Sequence, residues 1–210
     1  MTVSNADGSL FVISAPSGTG KSTVARRLVE QTAGLEFSIS FTTRDPRPGE
    51  RDGGDYHFVD AACFQSMIDR DELLEWADVF GRRYGTGLAA TRDGLAAGDD
   101  LLLDIDVQGA RQVREGPIRS VSIMLLPPDF ATLDARLRGR GSEGGAEQRD
   151  RLARARQEAL EFGDFDFLVI NDQLDRAVAE LTAIVAAERC RARRRRRAAE
   201  RVLATFPDPV

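Results

Sequence analysis

The chain has 210 residues, of which 42% are hydrophobic and 30% are charged, and its formal net charge is −5. These values fit one α/β domain with insertions, and the negative charge argues against a nucleic-acid partner. No apolar run approaches the roughly 18 residues of a membrane span, and the N-terminal segment MTVSNADGS lacks the features of a secretion signal. Cys63 and Cys190 form no C-x-x-C pair, which predicts reduced thiols in a cytoplasmic protein.

The first predicted element is an apolar strand that runs into a glycine-rich loop and a helix, LFVISAPSGTGKST over residues 10–23. Such a strand, loop and helix form the phosphate-binding cradle of P-loop proteins. Gly18 and Gly20 allow successive backbone N–H groups to point inward, and the helix dipole adds positive potential. Lys21 can reach the β- and γ-phosphates, and the Ser22 hydroxyl can bind Mg²⁺. The consensus glycine at the first position is replaced by Ala15, which fits the bend if its φ is negative. The predicted ATP-binding residues are Ala15, Pro16, Ser17, Gly18, Thr19, Gly20, Lys21, Ser22 and Thr23.

The rest of the chain alternates between strand and helix patterns. Helices are predicted over residues 21–31, 60–67, 88–97, 108–114, 129–138, 146–162 and 174–197, with Asp60 and Asp129 as N-caps. Strands are predicted over residues 37–41, 56–59, 121–126 and 167–170, and an apolar strand over 101–106 closes with two carboxylates. This order predicts a mostly parallel sheet with helices on both faces, interrupted by insertions at about residues 40–98 and 133–157.

Several segments resemble those of guanylate kinases in order and spacing, from about residue 10 to about residue 188. They are APSGTGKST, SFTTRDPRPGE, DYHFV, LLEWADVFGRRYGT, LLLDIDVQGA and RLRGRG. The resemblance implies the P-loop nucleoside-monophosphate kinase fold in a single domain, with a mostly parallel sheet flanked by helices. Its core would cover about residues 10–39, 99–132 and 158–190, its GMP-binding insertion about 40–98, and its lid about 133–157. The implied reaction is ATP + GMP → ADP + GDP, with Mg²⁺ as cofactor.

The resemblance also implies roles for single residues. The GMP phosphate is assigned to Arg44, Arg47, Tyr56 and Tyr84, and the guanine base to Ser40, Glu75 and Thr86. Asp104 and Asp106 are placed at the nucleoside and metal centre, where Asp104 would act on Mg²⁺ indirectly beside Ser22. The groups implied to act on the transferring phosphates are Lys21, Arg136, Arg140 and Arg151. The paired Arg82-Arg83 is a second departure from the family pattern, because a less charged turn is expected there.

Chemical reasoning supports these roles apart from the resemblance. The acceptor is a phosphate oxygen that is already anionic near neutral pH, so no general base is needed and His57 is predicted to be structural. Bringing two polyanions together requires several fixed cations, and arginine binds phosphate in a bidentate manner. A carboxylate at Glu75 could accept both the N1–H and the 2-amino group of guanine.

Each of these assignments has an alternative. Glu75 could lie on the exposed face of an amphipathic helix, and Arg44 and Arg47 could lie in a solvated loop. Arg151 could form a surface pair with Glu147, four residues earlier. Arg136 and Arg140 have support instead, because they are four positions apart on one helix face, which suits a joint role.

The whole chain also allows other functions. A scaffold-type module could bind peptides without catalysis, although it would typically lack P-loop residues that this chain retains. A related kinase could use another small phosphorylated acceptor, such as a ribose bisphosphate. The arginine run 193–197 could suggest RNA or a membrane surface, but a basic helix end is the preferred interpretation. Homo-oligomers are possible, and the sequence does not decide the oligomeric state.

Overall fold

The computed structural model describes residues 8–79, 81–138 and 145–207, with side chains of residues 145–148 excluded. The strands of this part are β1 Leu10–Ser14, β2 Leu35–Phe37, β3 Phe41–Thr42, β4 His57–Phe58, β5 Leu73–Val79, β6 Arg82–Gly87, β7 Asp100–Asp104, β8 Ser120–Leu126 and β9 Phe167–Ile170. Its α-helices are α1 Lys21–Gln31, α2 Ala61–Asp69, α3 Leu88–Ala97, α4 Val107–Glu115, α5 Phe130–Arg138, α6 Gly145–Leu160, α7 Leu174–Arg189 and α8 Ala192–Leu203. Within these residues no helix has the length and apolar character needed to span a membrane.

The core is a five-stranded sheet with the order β2-β7-β1-β8-β9, in which every neighbouring pair is parallel. All five residues of the central strand β1 are buried. Phe11 and Ile13 belong to the core cluster that includes α1 and α7, whereas Leu10 and Val12 belong to the cluster that includes α4. An apolar run buried on both faces is typical of a parallel sheet covered by helices. The predicted mostly parallel sheet with helices on both faces is therefore confirmed.

A second sheet of four short strands lies within the predicted insertion, in the order β4-β3-β6-β5. β5 and β6 form an antiparallel hairpin, β3 pairs antiparallel with β6, and β3 pairs parallel with β4. The hairpin is attached to the core through α4, because Gln112 donates to the Trp76 carbonyl at 2.7 Å and accepts from the Trp76 N–H at 3.0 Å. The exact limits of core, insertion and lid stay predictions.

Two predicted elements are wrong in a way that matters for the site. The single strand over residues 37–41 is two strands: β2 ends at Phe37 in the core sheet, and β3 begins at Phe41 in the second sheet. The single helix over residues 174–197 breaks after Arg189, where Arg191 has extended backbone angles (φ −59°, ψ 140°). The chain then continues as α8 to Leu203, beyond the predicted end of the helix at residue 197. Hydrophobic periodicity and secondary-structure propensity do not show such breaks, because contacts between distant residues determine where they occur.

Candidate active site

The glycine-rich loop follows β1 at the carboxyl edge of the core sheet, where open parallel sheets bind ligands. Gly18 and Gly20 have φ of 90° and 95°, a region that glycine adopts without strain. A Cβ on Gly18 would lie 2.7 Å from a Leu137 methyl group, and one on Gly20 would lie 3.1 Å from the Asn171 amide nitrogen. Ala15 does not have a positive φ, as the sequence requires of a non-glycine residue there.

Lys21 begins α1 and reaches across to the end of β7. Its Nζ lies 2.5 Å from Asp104 Oδ1 and donates at 2.5 Å to the Ile105 carbonyl. Asp106, two residues beyond the strand, accepts from the Gly109 N–H at 2.8 Å and so caps α4. Lys21 and the strand-end Asp104 are therefore in contact, whereas one carboxylate oxygen of Asp106 accepts the N-cap hydrogen bond of α4.

A cavity of about 500 Å³ lies between the glycine-rich loop and α6. This size is within the range of ligand pockets. Its charged lining residues are Lys21, Asp78, Asp106, Asp150, Arg151, Arg154, Glu158 and Glu161. Lys21 and the predicted lid residue Arg151 thus line the same cavity, although they are 130 positions apart in the sequence.

A carboxylate from α6 contacts the phosphate-binding loop. Glu158 Oε2 accepts from the Ser17 backbone N–H at 3.0 Å. Burial raises the pKa of Glu158 from its usual value, and the Ser17 hydrogen bond opposes that rise. Because loop N–H groups of this kind bind phosphate, Glu158 holds a position that a phosphate oxygen would compete for. Sequence reasoning missed Glu158, since 141 positions separate it from Ser17.

Arg136 contacts the loop from α5. Its guanidinium donates to the Thr19 carbonyl at 3.0 Å and to the Asn171 carbonyl at 3.1 Å. The Asn171 amide also donates to the Thr19 carbonyl, at 2.7 Å. The visible role of Arg136 is therefore to hold the backbone of the glycine-rich loop. Arg140 lies outside the described residues.

Three of the four predicted GMP-phosphate residues, Arg44, Tyr56 and Tyr84, lie together at the second sheet. Arg44 forms two hydrogen bonds with Glu50, both at 2.9 Å, and its guanidinium carbon lies 5.3 Å from the Tyr56 ring centroid. The Tyr56 and Tyr84 ring centroids are 6.0 Å apart. Glu50 is the main cause that raises the pKa of Arg44 above its usual value, with Tyr84 adding to the effect.

Arg47 meets this cluster through its backbone only. Its N–H donates to Glu50 at 2.7 Å, and its side chain is exposed. Arg44 and then the Arg47 N–H lower the pKa of Glu50, so this carboxylate is ionised and neutralises the predicted anion site. Glu50 is the second functional candidate that the sequence reasoning missed.

Glu75 lies on β5, where its side chain is buried and only 4% of the residue is exposed. The alternative of an exposed helix face is therefore wrong. Its Oε1 accepts from the Thr86 hydroxyl at 2.6 Å, across the β5–β6 hairpin. Burial raises the pKa of Glu75 to about 7, and the Thr86 hydrogen bond opposes that shift. A Cβ on Gly109 would lie 2.5 Å from Glu75 Oε2, so glycine at this position of α4 makes room for the carboxylate.

Three other predicted residues have local structural contacts. The Ser40 carbonyl accepts from the His57 N–H at 2.9 Å, next to the pairing of β3 with β4. The His57 ring stacks on Phe41 with centroids 4.7 Å apart, which suits the structural role predicted for it. Arg83 donates to Gln65 of α2 at 2.7 Å and lies over the Trp76 ring of β5, so this unexpected charge connects the second sheet to α2.

The donor set suits Mg²⁺. A carboxylate at Asp104 and a hydroxyl at Ser22 are oxygen ligands, which Mg²⁺ prefers together with substrate phosphates. Asp104 is at the carboxyl end of β7, and Ser22 is in the first turn of α1. The residues present therefore fit a magnesium–nucleotide complex.

The guanylate kinase family model matches residues 7–188. A guanylate kinase of Dechloromonas aromatica (strain RCB) is 49% identical over 180 residues, which are 86% of this chain and 89% of that protein. One of Rhodopseudomonas palustris (strain BisB18) is 48% identical over 189 residues, covering 90% of this chain and 86% of the relative. The crystal structure of guanylate kinase from Anaplasma phagocytophilum superposes with a TM-score of 0.70 and 31% identity, covering 90% of each chain. The chain therefore belongs to the guanylate kinase family.

Proposed function

We propose that this chain transfers the γ-phosphoryl group of ATP to the phosphate of GMP, giving ADP and GDP. The observation that carries the proposal is the buried Glu75–Thr86 pair. A buried carboxylate whose one oxygen is held by a hydroxyl can present acceptors to the N1–H and 2-amino group of guanine. A site built on such hydrogen bonds rejects analogues without the donors by roughly 10⁴-fold.

The donor side of the reaction is assigned to the glycine-rich loop. Its backbone N–H groups and the N-terminus of α1 would hold the ATP phosphates, and Lys21 would stabilise charge on the transferring group. In this role Lys21 would exchange its contact with Asp104 for the phosphates. Ser22 and Asp104 would hold Mg²⁺, which supplies charge neutralisation and orientation when it is bound with ATP. Arg136 would hold the backbone of the glycine-rich loop through the Thr19 carbonyl. Arg151 would act from the cavity that it lines together with Lys21.

The acceptor side is assigned to the second sheet. Arg44, Arg47, Tyr56 and Tyr84 would bind the GMP phosphate, with Ser40 beside the base. Because this phosphate carries the negative charge that attacks, no residue has to remove a proton. Glu50 would orient the Arg44 guanidinium while a phosphate binds other N–H groups of the same side chain, because Glu50 accepts only two of its five N–H donors. At the glycine-rich loop, by contrast, the ATP phosphates would replace one internal carboxylate, Glu158.

The two alternative functions differ in what they require of this site. A peptide-binding module has no need for Lys21, Ser22 and Asp104, and all three are present. A kinase for a ribose bisphosphate has no need for a buried acceptor such as Glu75. Both features favour the guanine nucleotide kinase.

The test is an ADP-release assay with MgATP and three acceptors, namely GMP, AMP and ribose 1,5-bisphosphate. We expect ADP release with GMP and little above background with the other two. Comparable release with AMP or with the bisphosphate would overturn the acceptor assignment. No release with any acceptor from a protein that binds ATP would favour the binding module.

A further inference from the structure

A second charged cavity lies at the amino-terminal edge of the core sheet, and we call it the basic cavity. It has a volume of about 420 Å³ and is enclosed by the starts of β1 and β8, the end of α3 and the first turns of α8. The candidate active site lies at the carboxyl edge. The Cα atoms of Leu10 and Ser14, at the two ends of β1, are four steps apart, which is about 13 Å at roughly 3.3 Å per step. The two cavities have no lining residue in common.

The basic cavity is lined mainly by arginine among its charged groups. These are Arg119, Arg193, Arg194, Arg196 and Arg197, and Glu188 is the one carboxylate in the described lining. Four of the five residues in the arginine run 193–197, which the catalytic function leaves unexplained, therefore line this cavity. It is a local positive region in a chain whose net charge is −5.

Two buried carboxylates anchor α8 to the core without neutralising this region. Glu188 is 3% exposed and pairs with both Arg191 and Arg193. Asp100 is also 3% exposed and binds Arg194 at 2.9 Å. Asp100 in addition binds Arg189 at 2.7 Å and the Ser9 N–H at 2.7 Å. Each of these carboxylates is shared by two guanidinium groups, and Arg196 pairs with Glu200 at 3.0 Å, so the guanidinium groups around the cavity still outnumber the carboxylates.

Arg119 gives the clearest sign of that excess. It precedes β8 and lines the cavity, and the described part of the chain offers it no hydrogen bond or ion pair. Arg119 and Arg194 are close enough to Arg193 to repel its guanidinium, which is itself paired with Glu188. Like charges held together in a concave site are unfavourable unless an anion joins them.

We propose that the basic cavity binds a compact polyphosphate anion, either an inorganic polyphosphate or the triphosphate group of a nucleotide. Five arginines line one cavity, which suits a ligand with several phosphates better than a single phosphate, and their planar forks match phosphate oxygens. A concave site of this volume favours a compact ligand over an extended nucleic acid, which needs a continuous basic surface. The ligand would join Arg119 on the core to Arg193 on α8.

The test is calorimetric titration of the full chain with inorganic tripolyphosphate. The wild type is expected to bind it at two sites, because the glycine-rich loop is also a phosphate site. Arg119→Gln should weaken binding at one site roughly ten-fold or more, the loss expected for a charge-assisted hydrogen bond. Arg201→Gln is the matched control: it makes the same charge change on α8 at a residue outside the cavity lining. It should keep both sites.

Further measurements separate this proposal from the catalytic one and distinguish the possible ligands. Lys21→Ala should lose the other site. Arg119→Gln should keep the wild-type ADP release and melt no lower than wild type, so failure of the catalytic proposal would appear separately. Titration with GTP shows whether the Arg119-dependent site prefers a nucleotide or the free polyphosphate. The proposal is overturned if Arg119→Gln and wild type titrate alike. It is equally overturned if a single-stranded RNA, and not tripolyphosphate, binds in an Arg119-dependent manner.

Discussion

Replacing Glu75 by glutamine should stabilise the protein at neutral and alkaline pH while removing its ability to select GMP. The folded protein holds the pKa of Glu75 at about 7, against 4.5 for an ordinary glutamate, chiefly because the carboxylate is buried. Between these pH values the folded protein keeps a proton that the unfolded chain has lost. The free energy of unfolding therefore falls as the pH rises from about 4.5 to about 7, and it stays low above that.

The size of this effect follows from the shift. A difference of this size between folded and unfolded pKa corresponds to about 3 kcal/mol, at about 1.4 kcal/mol for each pKa unit. Glutamine keeps the shape and the acceptor oxygen for Thr86, and it has no charge to bury. Glu75→Gln should therefore gain about 3 kcal/mol over wild type at pH 8 and close to nothing at pH 4.5.

Urea unfolding of both proteins at pH 4.5 and pH 8 measures this difference, and the m-values show whether the two transitions are comparable. Thr86→Val serves as a control, since it removes the hydroxyl and leaves the carboxylate in place. A stability difference between Glu75→Gln and wild type that is the same at both pH values would refute the argument from burial.

Three other substitutions test the remaining parts of the site. Lys21→Ala should lower kcat by several orders of magnitude in a folded protein, because its charge is needed mainly in the transition state; near-normal kcat would contradict its role. Arg44→Ala should raise KM for GMP far more than KM for ATP, whereas Arg70→Ala, which breaks an exposed pair in the same insertion, should change neither. Equal effects of Arg44→Ala on both substrates would argue against a separate acceptor site. Glu158→Gln should lower the Kd of ATP several-fold in calorimetry, because it weakens the internal anion at Ser17; an unchanged Kd would show that this contact does not compete with ATP.

The parts of the molecule that the sequence predicts well depend on local chemistry. The helix over residues 21–31 has the predicted limits, because the glycine loop and the amphipathic pattern define both ends. Asp60 and Asp129 cap α2 and α5 by accepting from backbone N–H groups three residues later, as their position before an apolar pattern indicates. The strand predicted over residues 101–106 is present as the buried parallel strand Asp100–Asp104, but it ends two residues early, because Asp106 caps the following helix.

The parts that sequence reasoning missed depend on contacts between distant residues. Glu158 and Ser17 are 141 positions apart, and Arg136 and Thr19 are 117 positions apart, so neither pair has a signal in a short window. The break between α7 and α8 depends on the buried Glu188, which draws Arg193 back toward the core. A helical sequence pattern alone does not show that α7 ends at Arg189 and that a separate helix begins at Ala192.

Glu75 shows both sides of this limit. The residue type and its apolar neighbours predict a shielded carboxylate, and the structure confirms that it is buried. They do not decide between helix and strand, because LLEWA suits either. Only the pairing of β5 with β6 brings Thr86 opposite Glu75 and turns an isolated acid into an acceptor pair.

Guanine recognition by Glu75 is tested most directly by comparing GMP with IMP, which lacks the 2-amino group, as phosphoryl acceptors. The measurement is the ratio of kcat/KM for the two acceptors in wild type and in Glu75→Gln. If Glu75 recognises the 2-amino group, kcat/KM in wild type should be higher for GMP than for IMP by roughly two or more orders of magnitude. In Glu75→Gln the ratio should be near one. The same GMP-to-IMP ratio in both proteins would contradict it.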